Sequence, residues 1–300
     1  MKKIFLTMAL CILCSVSFAQ VLHIWDGTAV KGAHAVTLTP FLPEGDETGR
    51  TAVIVCPGGS YFWLDVETEG VKVAQWLQDN GIAAFLLQYR TGGWFDFTFR
   101  SRALFGGHQF PDMQEDLQRS IQLVREGAEA YGIDPGRVGA MGFSAGGHLV
   151  MSAAELAGTD FLALRGISCE VPLRPDFVAP IYPVVTMTDE SCVHKRSRRG
   201  LLGERHMNDS ALRDSLSLER HVSAGLPPVF LLNCIDDDIV DYHNSVLLDS
   251  ALTANKVPHI YVQYKIGGHG FGADPGKFTD ETVLWQESFL HWLKNLYTDE

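Results

Sequence analysis

This sequence has fewer basic than acidic residues, and few cysteines. Its 300 residues include 24 Lys and Arg against 36 Asp and Glu, which gives a net charge of -12. A nucleic-acid backbone attracts basic faces, so this balance argues against nucleic acid as the main partner. No spacing of cysteine and histidine resembles a metal site, and we expect the protein to use no metal and no organic cofactor.

Long hydrophobic runs are scarce as well. The apolar run 4–16 follows Lys2 and Lys3 and is shorter than the roughly 20 residues that a transmembrane helix needs. Together with the small residue Ala19, this run predicts a secretory signal over residues 1–19 that is cleaved before Gln20. We therefore expect residues 20–300 to form a single exported domain without a membrane span, located in the periplasm or outside the cell.

Four cysteines follow the predicted signal. Export permits disulfides, so their pairing has to be considered. Cys56 and Cys234 lie at the ends of predicted core strands, where we expect small buried hydrophobic side chains. Cys169 and Cys192 lie in loop-like sequence, and a disulfide between them is the alternative to two free thiols.

Strand-like and helix-like segments alternate along nearly the whole chain. The predicted strands are 35–42, 51–56, 82–89, 137–141, 177–185, 228–233 and 259–266, and the predicted helices are 67–80, 111–131, 145–157, 242–254 and 279–296. Alternation of this kind predicts an α/β fold, with a mostly parallel sheet and helices on both faces. The segments 91–110 and 186–226 do not fit the alternation. We interpret the first as a long aromatic loop and the basic run 194–199 in the second as solvated surface.

The pentapeptide Gly142-x-Ser144-x-Gly146 lies between a predicted buried strand and a predicted helix. A serine at a sharp strand-to-helix turn has its hydroxyl exposed at the edge of the sheet. The flanking positions must be glycine because side chains there would collide with the neighbouring strand and helix. This context predicts that Ser144 is a nucleophile.

A serine hydroxyl needs a base, and the base needs a carboxylate behind it. His269 lies in a glycine-rich loop directly after the last predicted strand, whereas the rival His259 begins that strand. An aspartate run follows the preceding strand. We choose Asp237 as the acid, with Asp236 and Asp238 as alternatives that otherwise cap the next helix or face water.

Negative charge that develops on a substrate carbonyl needs preorganised donors. Ala145 supplies a backbone N–H as the residue after the serine, and Gly59 and Ser60, in the loop after the strand 51–56, would supply the others. A tight turn without catalytic purpose is the alternative for this loop. We expect His148 to be a packed, hydrogen-bonded neighbour of the site.

These motifs together resemble the esterase and lipase branch of the α/β-hydrolases. More narrowly, they are similar to bacterial acetyl-xylan and feruloyl esterase-like carbohydrate esterases. The resemblance covers about residue 50 to the end, and its motifs lie at 57–61, 142–148, 181–184, 201–203, 236–240 and 268–272. Pro57 and Asp238 depart from the pattern, since relatives often have histidine and proline there.

The resemblance implies a serine esterase that removes short acyl groups, acetyl above all, from carbohydrates such as xylan or xylo-oligosaccharides. Tyr61 and Trp94 are the candidate substrate-binding residues, because aromatic rings stack on sugars; packing in a core or lid is the alternative. Two other functions stay open. One is a serine peptidase of the prolyl-oligopeptidase type, although such enzymes usually carry a large N-terminal propeller. The other is an inactive carbohydrate-binding homologue.

Overall fold

A computed structural model describes residues 20–30 and 33–297 of the chain. The predicted signal, residues 1–19, lies outside the described residues and stays a prediction. No helix within the described ranges is long and apolar enough to cross a membrane.

The described strands form one sheet in the order β1-β2-β4-β3-β5-β6-β7-β8. Their bounds are β1 (Leu22–His23), β2 (Thr37–Phe41), β3 (Arg50–Cys56), β4 (Ala83–Gln88), β5 (Ile133–Phe143), β6 (Val178–Ile181), β7 (Val229–Cys234) and β8 (His259–Tyr264). Strands β1 and β2 are antiparallel to their neighbours, and the strands from β4 through β8 are parallel. The prediction of a mostly parallel sheet is confirmed.

Helices cover both faces of this sheet. Their bounds are α1 (Lys72–Asp79), α2 (Gly93–Phe99), α3 (Arg102–Phe105), α4 (Asp112–Glu126), α5 (Ala128–Tyr131), α6 (Ala145–Glu155), α7 (Lys195–His206), α8 (Ser210–Ser215), α9 (His243–Ala254) and α10 (Trp285–Leu296). One apolar core contains Leu117 of α4 and Leu149 of α6, and the other contains Leu77 of α1 and Phe289 of α10. The buried stretches 52–56 of β3 and 138–143 of β5 contain no charged residue, because both faces of the sheet are covered there.

Two segments differ from their prediction. Residues 91–110 contain the short helices α2 and α3, so the prediction of a long loop there is wrong. The basic run 194–199, predicted to be solvated surface, begins helix α7, and Arg198 within it is buried. Its guanidinium donates to the carbonyl of Met187 at 3.1 Å and also contacts Glu190, which makes burial of the charge tolerable.

The four cysteines after residue 20 are all free, so Cys169 and Cys192 are not paired. Cys56 and Cys234 are buried at the ends of β3 and β7, as the sequence predicted.

The carboxyl ends of the parallel strands lead into the predicted site residues. Gly59 follows β3, Ser144 follows β5, Asp237 follows β7 and His269 follows β8. Parallel strands end at the same edge of a sheet, which is where ligands bind in open α/β folds. The topology therefore brings together residues that are up to 210 positions apart in the chain (269 minus 59).

A buried ionic cluster connects the N-terminal segment to this framework. The Asp116 carboxylate on α4 accepts from Trp25 Nε1 at 2.7 Å and from the Arg90 backbone N–H at 2.8 Å. Asp116→Ala leaves these donors buried without that partner, so we expect a loss of about 3 kcal/mol in the free energy of unfolding. Chemical denaturation measures it.

Glu47→Ala is the matched control. Glu47 is exposed and lies 3.8 Å from Arg50, so its loss should cost less than about 1 kcal/mol. Equal losses in the two variants would contradict a stabilising role for the Asp116 cluster.

Candidate active site

Ser144 lies at the turn between strand β5 and helix α6. Its φ of 54° and ψ of -115° are unusual for a residue with a side chain. The conformation is held by the Ser144 N–H, which donates to the Ile181 carbonyl at 3.0 Å, and by the Ser144 carbonyl, which accepts from Val184 N–H at 3.1 Å. The residue is 4% exposed. These two hydrogen bonds hold the backbone of Ser144 and so fix the direction in which its side chain leaves the turn.

The two glycines of the motif allow close contact of backbone segments. A Cβ on Gly142 would lie 2.1 Å from the Gly146 carbonyl oxygen, and one on Gly146 would lie 2.0 Å from the carbonyl oxygen of Cys56. Neither distance is possible, so helix α6 lies this close to strand β5 only with glycine at 142, and this close to strand β3 only with glycine at 146. The predicted steric reason for the glycines is confirmed.

Asp237 and His269 form the closest polar pair of the site. Asp237 Oδ2 lies 2.6 Å from His269 Nδ1. The other oxygen, Oδ1, accepts the N–H groups of Ile239 and Val240 at 2.9 Å each, which fixes the carboxylate. This contact fixes the orientation of the imidazole, and Nε2 is the ring nitrogen that Asp237 does not bind.

The neighbouring aspartates have different surroundings. Asp236 does not cap the following helix, which corrects one of the expectations for this residue. Its carboxylate accepts from the N–H groups of Gly267 at 2.9 Å and Gly268 at 2.8 Å, and so fixes the loop that carries His269. The loop needs this acceptor because its backbone leaves the sheet at that point. Asp238 is exposed and accepts no hydrogen bond from the described residues.

A small cavity joins these loops. Its volume is about 190 Å³. The lining residues are Gly59, Ser60, Trp63, Asp65, Glu69, Ser144, Arg196, Ile239, His269 and Gly270. Four of the predicted site residues therefore border one cavity, while Asp237 lies behind His269.

The loop 57–61 borders the cavity in an unusual conformation. Gly59 has a φ of 135° and Ser60 a φ of 56°. The N–H of Gly58 donates to Glu69 Oε2 at 2.7 Å, whereas the N–H groups of Gly59 and Ser60 have no acceptor among the described residues. Ala145 is the first residue of helix α6, where an N–H has no partner within the helix. These are the three N–H groups that the sequence predicted as oxyanion donors.

Tyr61 does not face the cavity, and the prediction that it binds substrate is wrong. Its side chain is 0% exposed, and its hydroxyl lies 2.8 Å from His148 Nδ1. A φ of 62° turns the chain so that this ring enters the core. Trp94, the other predicted residue, is 69% exposed and lies 6.0 Å from the Trp63 ring that lines the cavity.

His148 is a packed neighbour of the site, as the sequence predicted. It is fully buried between the Tyr61 hydroxyl and the Leu216 carbonyl, which lies 2.9 Å from Nε2. Burial lowers the pKa of His148 to about 4. The ring is therefore neutral near pH 7.

Three residues of the site were not predicted from the sequence. Arg196 lines the cavity, and its Nε donates to Ser60 Oγ at 2.9 Å while its guanidinium lies over the Trp63 ring at 5.4 Å. Glu69 also lines the cavity, and Tyr182 lies behind it, with its hydroxyl bound to Glu69. The signals available were the basic run itself and a glutamate shortly after the loop 57–61. In residues 20–30 and 33–297 no cluster of His, Cys, Asp and Glu is arranged to hold a metal ion.

The sheet order and the strand-end loops define an α/β-hydrolase fold. The same fold is found in the acetyl ester-xyloside bifunctional hydrolase from Caldicellulosiruptor lactoaceticus, with a TM-score of 0.76, 29% identity, and coverage of 92% of this chain and 96% of that one. Residues 38–252 match the model of the BD-FAE family. The chain belongs to the BD-FAE family.

Two curated proteins extend the comparison. An acetylxylan esterase of Xylanibacter ruminicola is 31% identical over 260 residues, which are 85% of this chain and 47% of that protein. Endo-1,4-beta-xylanase B of Butyrivibrio fibrisolvens is 29% identical over 257 residues, which are 86% of this chain and 36% of that protein. The chain thus spans less than half the length of these two relatives.

The neutral His148 gives a prediction for stability against pH. A histidine whose pKa falls from 6.5 when unfolded to about 4 when folded stabilises the fold above pH 6.5 and loses that contribution as pH falls toward 4. From pH 7 to pH 5 the loss is about 2 kcal/mol. We expect His148→Gln, measured by denaturant unfolding at both pH values, to remove most of this difference.

The exposed residue His291 provides the control. His291→Gln should leave the dependence of stability on pH unchanged. If His148→Gln also leaves it unchanged, acid destabilisation arises elsewhere in the protein.

Proposed function

We propose that this protein is a serine carboxylic-ester hydrolase that removes short acyl groups, with acetyl preferred, from carbohydrates such as xylan or xylo-oligosaccharides. The observation that carries the proposal is the 2.6 Å contact between Asp237 and His269, next to a cavity that His269 shares with Ser144. The similarity to proteins named acetylxylan esterase and acetyl ester-xyloside hydrolase supports the substrate class.

In the proposed mechanism Ser144 is the nucleophile. Its Oγ attacks the carbonyl carbon of the ester while His269 Nε2 takes the hydroxyl proton, and Asp237 stabilises the imidazolium that forms. As the tetrahedral intermediate collapses, the bond between the carbonyl carbon and the sugar oxygen breaks, and His269 gives its proton to that oxygen, so the sugar leaves as an alcohol. Water, activated by the same imidazole, hydrolyses the acyl-enzyme and restores the serine.

The oxyanion of each intermediate requires hydrogen-bond donors. We assign this role to the backbone N–H groups of Ala145, Gly59 and Ser60. Ala145 lies at the N-terminus of helix α6, whose dipole favours negative charge. Because these donors belong to backbone that is fixed before the reaction, they need little reorganisation as charge develops.

The size of the cavity supports a small acyl group. A volume of about 190 Å³ is below the range of about 300–1,000 Å³ that is usual for drug-sized ligands. At the edge of the cavity, Trp63 in its lining and the adjacent, exposed Trp94 offer aromatic faces for sugar rings of the leaving group. The acyl group would thus be enclosed while the carbohydrate stays at the surface.

Ser144→Ala tests the nucleophile. A fluorophosphonate probe should label the wild-type protein covalently, and the alanine variant should lose both labelling and ester turnover, because Ser144 is the hydroxyl held at the turn between β5 and α6. Thermal melting checks that the variant is folded. Labelling of the variant at full strength would place the nucleophile elsewhere.

A substrate panel tests the class of ester. We expect turnover of acetylated xylo-oligosaccharides to exceed that of feruloylated arabinoxylan, long-chain esters and peptides, because the cavity is small. Peptide cleavage without ester hydrolysis would overturn the proposal in favour of a peptidase.

The acid of the triad is tested by three matched variants. Asp237→Asn keeps the shape of the side chain but favours the wrong imidazole tautomer, so turnover should fall by as much as ~10⁴-fold with little change in KM. Asp238→Asn changes an exposed side chain and should have little effect. The turnover of Asp236→Asn should lie between those of the other two variants, because the amide oxygen of asparagine can still accept from the N–H groups of Gly267 and Gly268.

All three variants must melt near the wild-type temperature for the comparison to hold. An inactive Asp238→Asn beside an active Asp237→Asn would show that the acid is assigned to the wrong residue.

A further inference from the structure

Glu69 is a buried acid to which the proposed mechanism gives no role. Its side chain is 3% exposed and lies in a π-helical turn, Glu67–Val71, directly before α1. Turns of this type are rare and are often found at functional sites. Burial raises the pKa of Glu69, while the nearby His269 and two hydrogen-bond donors lower it. A carboxylate in such surroundings depends on those donors.

The two oxygens of Glu69 bind opposite sides of the site. Oε2 accepts from the N–H of Gly58 at 2.7 Å, and Oε1 accepts from the Tyr182 hydroxyl at 2.9 Å. The same hydroxyl accepts from the N–H of Gly272 at 3.0 Å. A continuous chain of hydrogen bonds, which we name the Glu69–Tyr182 bridge, therefore joins the loop 57–61 to the loop 267–272.

Both ends of the bridge lie against the proposed reacting groups. A Cβ on Gly58 would be 2.8 Å from the Ser144 Cβ and 2.7 Å from Glu69 Oε2, so this glycine is enclosed between the two side chains. At the other end, the ring centroids of Tyr182 and His269 are 4.6 Å apart. A shift of the bridge would move both loops relative to Ser144.

The backbone at Tyr182 is strained. Its φ is 36°, in the left-handed region that residues with side chains rarely adopt. Such a conformation persists only where the surrounding structure fixes it, and strain of this kind clusters at functional sites. Here the strain directs the hydroxyl to Glu69 and Gly272.

We propose that Glu69 and Tyr182 are positioning residues that act together as one bridge. The bridge holds the loop 57–61, the oxyanion-hole loop, and the loop 267–272, the histidine loop, at the separation that ester hydrolysis requires. The inference rests on the proposed esterase activity. Binding the N–H of Gly58 fixes the peptide plane between Pro57 and Gly58, one residue before the N–H of Gly59. Binding the N–H of Gly272 fixes the chain three residues beyond His269.

The test compares steady-state kinetics on an acetyl ester for the wild type, Glu69→Gln, Tyr182→Phe and the double variant. Each single variant should lower kcat by up to about 10²-fold, because the loops lose their fixed separation. KM of Tyr182→Phe should change by less than about twofold, because Tyr182 does not line the cavity. Glu69 does line it, so the comparison of kcat with KM is made on Tyr182→Phe. The double variant should be no worse than the poorer single variant, because both substitutions break the same bridge.

Tyr89→Phe is the matched control. The Tyr89 hydroxyl is also buried and donates to the carbonyl of Pro57 at 2.6 Å, so it binds the same loop but does not reach the histidine loop. Its loss should lower kcat much less than Tyr182→Phe does, because Glu69 still binds the N–H of Gly58 and the bridge to the loop 267–272 stays intact. A merely structural role for the bridge would give the two tyrosine variants equal losses of kcat, and that result would overturn the inference.

Failure of the bridge and failure of the proposed activity are distinguishable. A wild-type protein without turnover of any ester, and without labelling at Ser144, would reject the esterase itself. An active wild type with bridge variants of unchanged kcat, or with losses that multiply in the double variant, would reject only the bridge. If Glu69→Gln does not fold, Tyr182→Phe decides alone, because it removes one hydroxyl and retains the ring.

Discussion

The close approach of helix α6 to strand β3 is the constraint on which the rest of the site depends. Gly146 lies against the carbonyl of Cys56 with no space for a Cβ. The chain can reach that position from β5 only through a residue with positive φ, and that residue is Ser144. Such a conformation costs of order 1–3 kcal/mol. The buried strand and the buried helix on either side of the turn offset this cost and keep the hydroxyl in place.

Acidic side chains fix the loops around this turn. Glu69 binds Gly58, Asp236 binds Gly267 and Gly268, and Asp237 binds Ile239 and Val240, in each case through backbone N–H groups. Loops that leave a sheet have N–H groups without ladder partners, and a carboxylate satisfies two of them at once. Two of these side chains, Glu69 and Asp236, have no part in the proposed chemical steps, so the strand ends are ordered partly by residues outside the triad.

Much of the fold was predictable because burial on both faces leaves apolar runs in the central strands. The same holds for the turn at Ser144: Gly142 is required by its contact with Gly146 in the same motif, and Gly146 by the strand β3 that the parallel sheet places beside β5. These features depend on residues close together in sequence, or on a pattern that a parallel sheet always imposes.

The wrong predictions concern residues whose partners lie in other segments of the chain. Tyr61 lies in the loop at the cavity and has the ring expected of a sugar-binding residue, yet its partner His148 is 87 positions away and draws it into the core. Arg196 and Arg198 look solvated in a run of basic residues, because charged side chains are rarely buried without partners. Their partners, Ser60 and Met187, become neighbours only when the chain is folded.

The four cysteines of the described residues are free thiols, which determines whether the fold depends on disulfide bonds. Burial raises the pKa of Cys56, Cys192 and Cys234, so the reactive thiolate is suppressed at each of them. Within the described residues, no covalent cross-link contributes to stability, which comes from packing, hydrogen bonds and ion pairs. The fold of the described residues therefore does not depend on the formation of a disulfide.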